Sequence, residues 1–97
     1  MATFIALVNW TDQGIRNYRD TSKRFKAFDD IVSKHGGTTR DAYWTIGPYD
    51  IVVVCEAPDD ESATALALEL GALGFVRTTT LRGFNQDEMQ AIIDRTS

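Results

Sequence analysis

Gly47-Pro48-Tyr49-Asp50 separates two strand-like runs, Thr39 to Ile46 and Ile51 to Ala57. Proline holds φ at about −65°, which suits the first central position of a tight turn. Gly47 relieves the steric cost of reversing the chain. The stretch therefore reads as the turn of a β-hairpin. That hairpin fixes the middle of a β-α-β-β-α-β order, and the order decides which loops can meet.

Working outward, Phe4-Ile5-Ala6-Leu7-Val8 and Ile51-Val52-Val53-Val54-Cys55 are continuous apolar runs, the pattern of strands buried on both faces. Thr39 to Ile46 and Val76 to Arg82 mix polar and apolar residues, as edge strands do. Two central and two edge strands give an α+β, ferredoxin-like unit with a four-stranded antiparallel sheet in the order 4-1-3-2.

The helices are legible by period and by caps. Thr21 is placed to cap a helix whose stripe is Phe25, Phe28, Val32 and His35, at spacings of one helical face, and Gly36-Gly37 ends it. Asp12 to Tyr18 reads as a separate helical turn. Pro58 and Asp59 open a second helix, with Asp59, Asp60 and Glu61 where the macrodipole favours negative charge. Its apolar face is Ala63, Leu66, Ala67, Leu70 and Leu73, and Gly71 or Gly74 stops it. Asn85 and Glu88 form a capping-box pair, with Phe84 and Met89 at the staple positions of a last helix. Two helices cover one sheet face. The other would turn alternate side chains of two apolar strands to water, and the last helix is too short to cover it. A second copy of the chain is the simplest cover.

Composition limits function. Ninety-seven residues make one domain, 1–97. Ten basic against fourteen acidic residues give a net charge of −4, which argues against nucleic acid as a partner. The densest basic run, Lys23, Arg24 and Lys26, has Asp20, Asp29 and Asp30 around it and reads as a solvated helix face. No signal segment or membrane span is visible. A single cysteine, Cys55, permits no intrachain disulfide, as suits a cytoplasmic protein.

The topology gathers three segments at one sheet end: Asn9 to Gly14, Gly47 to Asp50 and Gly74 to Arg77. From them come the expected lining residues of a small pocket: Asn9, Trp10, Asp12, Tyr49, Asp50 and Arg77. Asp50 is a candidate acid or base, with Tyr49 donating to a developing oxyanion; His35, the one histidine, is a further proton shuttle. Each has a structural alternative. Asp50 can accept from the hairpin backbone. His35 can close its helix on the last carbonyls. Arg77 can pair with Asp12 or Asp50 or anchor an anion. Cys55 reads as a core residue, and Tyr18 and Trp44 as core or interface aromatics. Asp59-Asp60-Glu61 is better explained as helix-start charge than as a metal site. No metal-ligand spacing, phosphate loop, dinucleotide fingerprint or Ser-His-Asp order is present, so no cofactor is expected.

These segments also carry a resemblance. The chain resembles the GYD domain family, named for the Gly-x-Tyr-Asp signature that Gly47-Pro48-Tyr49-Asp50 matches. Asn9 to Ile15, Tyr43-Trp44-Thr45, Glu56 to Glu61, Gly71 to Gly74 and Val76 to Leu81 match as well, so the likeness spans nearly the whole length. Phe75 and Gly83 depart from it, standing where Asn and Ala are expected, and Phe75 removes an amide from the polar cluster. The resemblance implies a ferredoxin-like or dimeric α/β-barrel fold without an assigned activity, related to cofactor-free oxygenases, isomerases and small-molecule sensors. The resulting expectation is a cytoplasmic homo-oligomer, a homodimer or larger, that binds a small molecule or another protein. The alternatives are a cofactor-independent enzyme acting on a small aromatic or carbonyl metabolite, and a purely structural assembly protein.

Overall fold

The computed structural model describes residues 1–96. In chain order it contains β1 (Ala2–Trp10), α1 (Asp12–Arg16), a 3-10 turn (Tyr18–Asp20), α2 (Thr21–Lys34), β2 (Thr38–Trp44), β3 (Ile51–Ala57), α3 (Asp60–Ala72), β4 (Val76–Gly83) and α4 (Gln86–Asp94). The strands form one antiparallel sheet ordered β2-β3-β1-β4. The two continuous apolar runs take the centre and the two mixed runs take the edges, as their composition demands.

Side-chain alternation divides the sheet into two unlike faces. On one, Phe4, Ala6 and Val8 of β1 and Ile51, Val53, Cys55 and Ala57 of β3 are buried. Phe28 and Val32 of α2 and Leu66 of α3 pack on the Ala6–Val8 part, and Ala63 packs beside Phe4 and Ala57. On the other face, Ile5 pairs with Val54 and Leu81, and Leu7 pairs with Val52. Those β1 and β3 residues are only half-buried, and Leu81 is 45% exposed. The central strands are thus buried on one face, and the chain itself leaves the other open.

The last helix does not close it. α4 has the full capping box: Asn85 Oδ1 accepts from the Glu88 N–H and Glu88 Oε1 accepts from the Asn85 N–H. Yet Phe84, Met89 and Ile93 are about half exposed, so the helix is well begun but unpacked. The Cα radius of gyration is 14.5 Å, against about 12.5 Å for a compact chain of this length. The excess fits a molecule 52 Å in its longest dimension.

Several local expectations need correction. β2 ends at Trp44 instead of Ile46, and a six-residue link replaces the tight turn, closed where the Thr45 N–H donates to the Asp50 carbonyl at 2.8 Å. Gly47 has φ +125°, which only glycine adopts without strain. Thr21 does not cap α2; Asp20 occupies that position without a side-chain bond. The Thr21 hydroxyl instead accepts the Trp44 indole N–H at 2.9 Å. A bulge between Thr39 and Asp41 leaves Arg40 ion-paired with Glu56 at 2.7 Å. Among the described residues, no helix is long and apolar enough to cross a membrane.

Candidate functional site

The three expected segments meet at one end of the sheet, held by backbone bonds. The Asp50 N–H donates to the Val8 carbonyl at 2.8 Å. Its carboxylate returns across the strand, with Oδ2 accepting the Trp10 N–H at 2.9 Å. Thr11 makes the second joint. Its N–H donates to the Phe75 carbonyl at 3.1 Å, and its hydroxyl donates to the Gly74 carbonyl at 2.6 Å while accepting the Gly14 N–H. Gly14 lies so close to the β4 lead-in that a Cβ there would sit 1.9 Å from the Phe75 carbonyl oxygen. Only glycine fits that crossing.

Beneath this rim, on the helix side of the sheet, is a partly open cavity of about 290 Å³. Val8, Trp10, Phe25, Phe28, Ile51, Val53, Leu70, Leu73, Phe75 and Val76 supply its apolar wall, with Ala27, Thr21 and Arg24 completing it. Arg24 lies over the Phe75 ring, 4.7 Å from its centroid, and contacts the Gly14 carbonyl at 3.3 Å. Among the described residues it has no carboxylate partner within ion-pair distance.

This differs from the polar pocket expected from sequence. Of Asn9, Trp10, Asp12, Tyr49, Asp50 and Arg77, Trp10 alone lines the cavity. Asn9 and Arg77 are paired across β1 and β4, on the open sheet face because they alternate with Val8 and Val76. Arg77 is exposed and has no ion pair with Asp12 or Asp50 among the described residues. Asp12 is exposed in the first turn of α1, and Tyr49 contributes its carbonyl to the Thr45 hydroxyl at 2.6 Å. Asp50 is a bracket between β3 and β1, a structural use extending beyond its own hairpin.

His35 is elsewhere. It ends α2, whose 14 residues put about 21 Å of helix between it and Thr21 at the rim. Its ring meets Glu69 of α3 at 2.8 Å instead of the helix carbonyls, next to the Lys34–Glu69 ion pair at 2.7 Å. Lys34 and then His35 hold the Glu69 carboxyl below the usual carboxylate range. Cys55 is a core residue, and burial pushes its thiol up, away from nucleophilic use. Asp59 accepts the Ser62 N–H at 2.7 Å as the cap of α3, and the Ser62 side chain first and its N–H second hold the Asp59 carboxyl below the usual carboxylate range.

Sequence reasoning missed Arg24, Phe25 and Phe75 as cavity residues. The signal was there for Phe25, which stands one turn from Phe28 on the inward stripe. Phe75 reads in sequence as a lost amide, though an aromatic beside Gly74 at the rim is what an apolar wall requires. Arg24 is hidden among charges because a helix face can be solvated for most of its width and still set one residue at a cavity wall.

The arrangement defines a class: a small α+β protein with one open sheet face and one apolar cavity under a rim of interlocked loops. Within that class the chain belongs to the GYD domain family, whose sequence model matches residues 4–93. It is 35% identical over 82 residues to the glutamine synthetase and cystathionine beta-lyase binding protein of Thermus thermophilus, covering 84% of this chain and 86% of that protein. A crystal structure of a protein from Thermus thermophilus matches with a TM-score of 0.57 at 23% identity, over 88% of this chain and 95% of the other. That second likeness is one of fold.

Proposed function

We propose that this chain is a cytoplasmic protein-interaction module that works as a homo-oligomer. A second copy covers the open face in the manner of ferredoxin-like, dimeric α/β-barrel proteins, and the assembled rim and helices contact an enzyme partner. The observation that carries this reading is the relative named for binding two enzymes, which aligns over most of both chains. The rim supports it. Asp50, the best-placed acid, is bonded to the Trp10 N–H, and His35 lies on Glu69. The two candidate proton shuttles therefore lie far apart, and each is already bonded within the chain. Glutamine synthetase and cystathionine β-lyase from the same organism are the partners to test first.

The test uses purified components. The chain and each enzyme, mixed at about 100 μM, should sediment together and give a saturable titration in the micromolar range or tighter. Absence of a complex with both enzymes at that concentration would remove this reading. Turnover of a small carbonyl or aromatic compound, lost on Tyr49→Phe with the fold intact, would replace it with the enzymatic one.

A further inference from the structure

We infer that the cavity beneath the rim is a binding site for a small hydrophobic carboxylate, with the apolar body held between α2, α3 and the sheet and the carboxylate held by Arg24. This goes beyond the interaction reading and does not rest on it.

The first ground is volume. The cavity opens to solvent on one side and holds about 290 Å³ against an apolar wall, in a chain of 97 residues. An apolar cavity of about 150 Å³ accommodates benzene. One nearly twice that size suits a fused bicyclic ring or a branched acid of roughly ten to fourteen non-hydrogen atoms. The wall favours a flat aromatic body, since Trp10, Phe25, Phe28 and Phe75 all border it.

The second ground is charge. Arg24 is half-buried at the wall and lies over the Phe75 ring, and among the described residues its one hydrogen bond is a long contact to the Gly14 carbonyl. The guanidinium carries five N–H donors, more than the Gly14 contact uses, so it has donors to offer an anion at the cavity edge. Thr21 also borders the cavity. Its hydroxyl accepts from Trp44 and keeps its own hydrogen to donate. A carboxylate fits two donors beside a greasy slot; a phosphate would bring more charge than one arginine balances.

The probe is 2-naphthoate, with 2-naphthylmethanol as its neutral counterpart, read by tryptophan emission and thermal midpoint on the full chain. The wild-type chain should bind naphthoate saturably and raise its midpoint. Arg24→Gln should weaken naphthoate about tenfold to a hundredfold and leave the alcohol unchanged. Leu70→Trp fills the cavity and should abolish both; Ala27→Trp, at an exposed position of α2 on the same wall, does so if the first variant fails to fold. The inference is overturned if naphthoate does not bind at millimolar concentration, if Arg24→Gln retains wild-type affinity, or if binding survives the filled cavity.

Discussion

At the scale of single residues, two positions govern the rim. Gly14 crosses the β4 lead-in with no room for a methyl group, the obstacle being the backbone oxygen of Phe75. That oxygen also receives the Thr11 N–H, so it cannot withdraw without breaking the joint. Gly14→Ala should therefore destabilise the chain by about 3 kcal/mol, measured as a lower urea midpoint with an unchanged slope. Asp50 tests another link. Asp50→Ala removes a charge-assisted bond to the Trp10 N–H and strands that donor in a half-buried place; the expected loss is about 2 kcal/mol. Asp50→Asn keeps an acceptor oxygen and should cost less. An Asp50→Ala protein as stable as wild type would show that the bracket contributes nothing. Asp50 is visible in sequence as a turn residue that accepts a backbone bond. Its actual donor on β1, forty positions away, is not, because hydropathy and turn chemistry describe neighbours along the chain and not across a sheet.

At the scale of elements, what is legible in sequence is what depends on local rules. The strand-like run Ile51 to Ala57 gives β3 its observed bounds, and Asn85 with Glu88 gives the cap of α4. What escapes is contingent on packing: the Thr21 hydroxyl turned to Trp44, and the His35 ring turned to α3. The α2–α3 clamp has a pH signature. Glu69 is held below its ordinary pKa by Lys34 first and His35 second. Its contribution to stability is present above the unfolded carboxylate value and is lost as pH falls through the lower folded value. The Glu69 side-chain carbon resonance should titrate below the normal glutamate midpoint, and Lys34→Met should move that midpoint upward. α4 tests the other extreme. A nine-residue helix without tertiary support is marginal in water, so its capping box carries much of its order. Asn85→Ala, a change of about 1 kcal/mol at a cap, should speed amide exchange across Gln86–Asp94 and leave the central strands protected. Equal loss of protection in β1 would mean that α4 is coupled to the sheet.

At the scale of the whole molecule, the open face and the unpacked helix point to one arrangement. Four strands of about eight residues cover roughly 19 Å by 26 Å. Two such faces in contact bury on the order of 1,000 Å², less than the roughly 1,200 Å² usual for a stable pair. A sheet-on-sheet dimer therefore needs an additional contact. The α4 stripe, with Met89 and Ile93 about half exposed, is available to supply it against the partner. On that face Arg40 and Glu56 neutralise each other, while Asp41 and Arg77 remain exposed on the two edge strands. The expectation is a dimer at micromolar concentration, weakened by Leu81→Asp on the open face of edge strand β4. Met89→Asp with Ile93→Asp should weaken the dimer without unfolding either subunit, because neither side chain belongs to the core. Sedimentation equilibrium distinguishes the cases. A monomeric wild type would remove the second copy altogether, whereas a dimer indifferent to both α4 changes would show that the sheets associate without the helix.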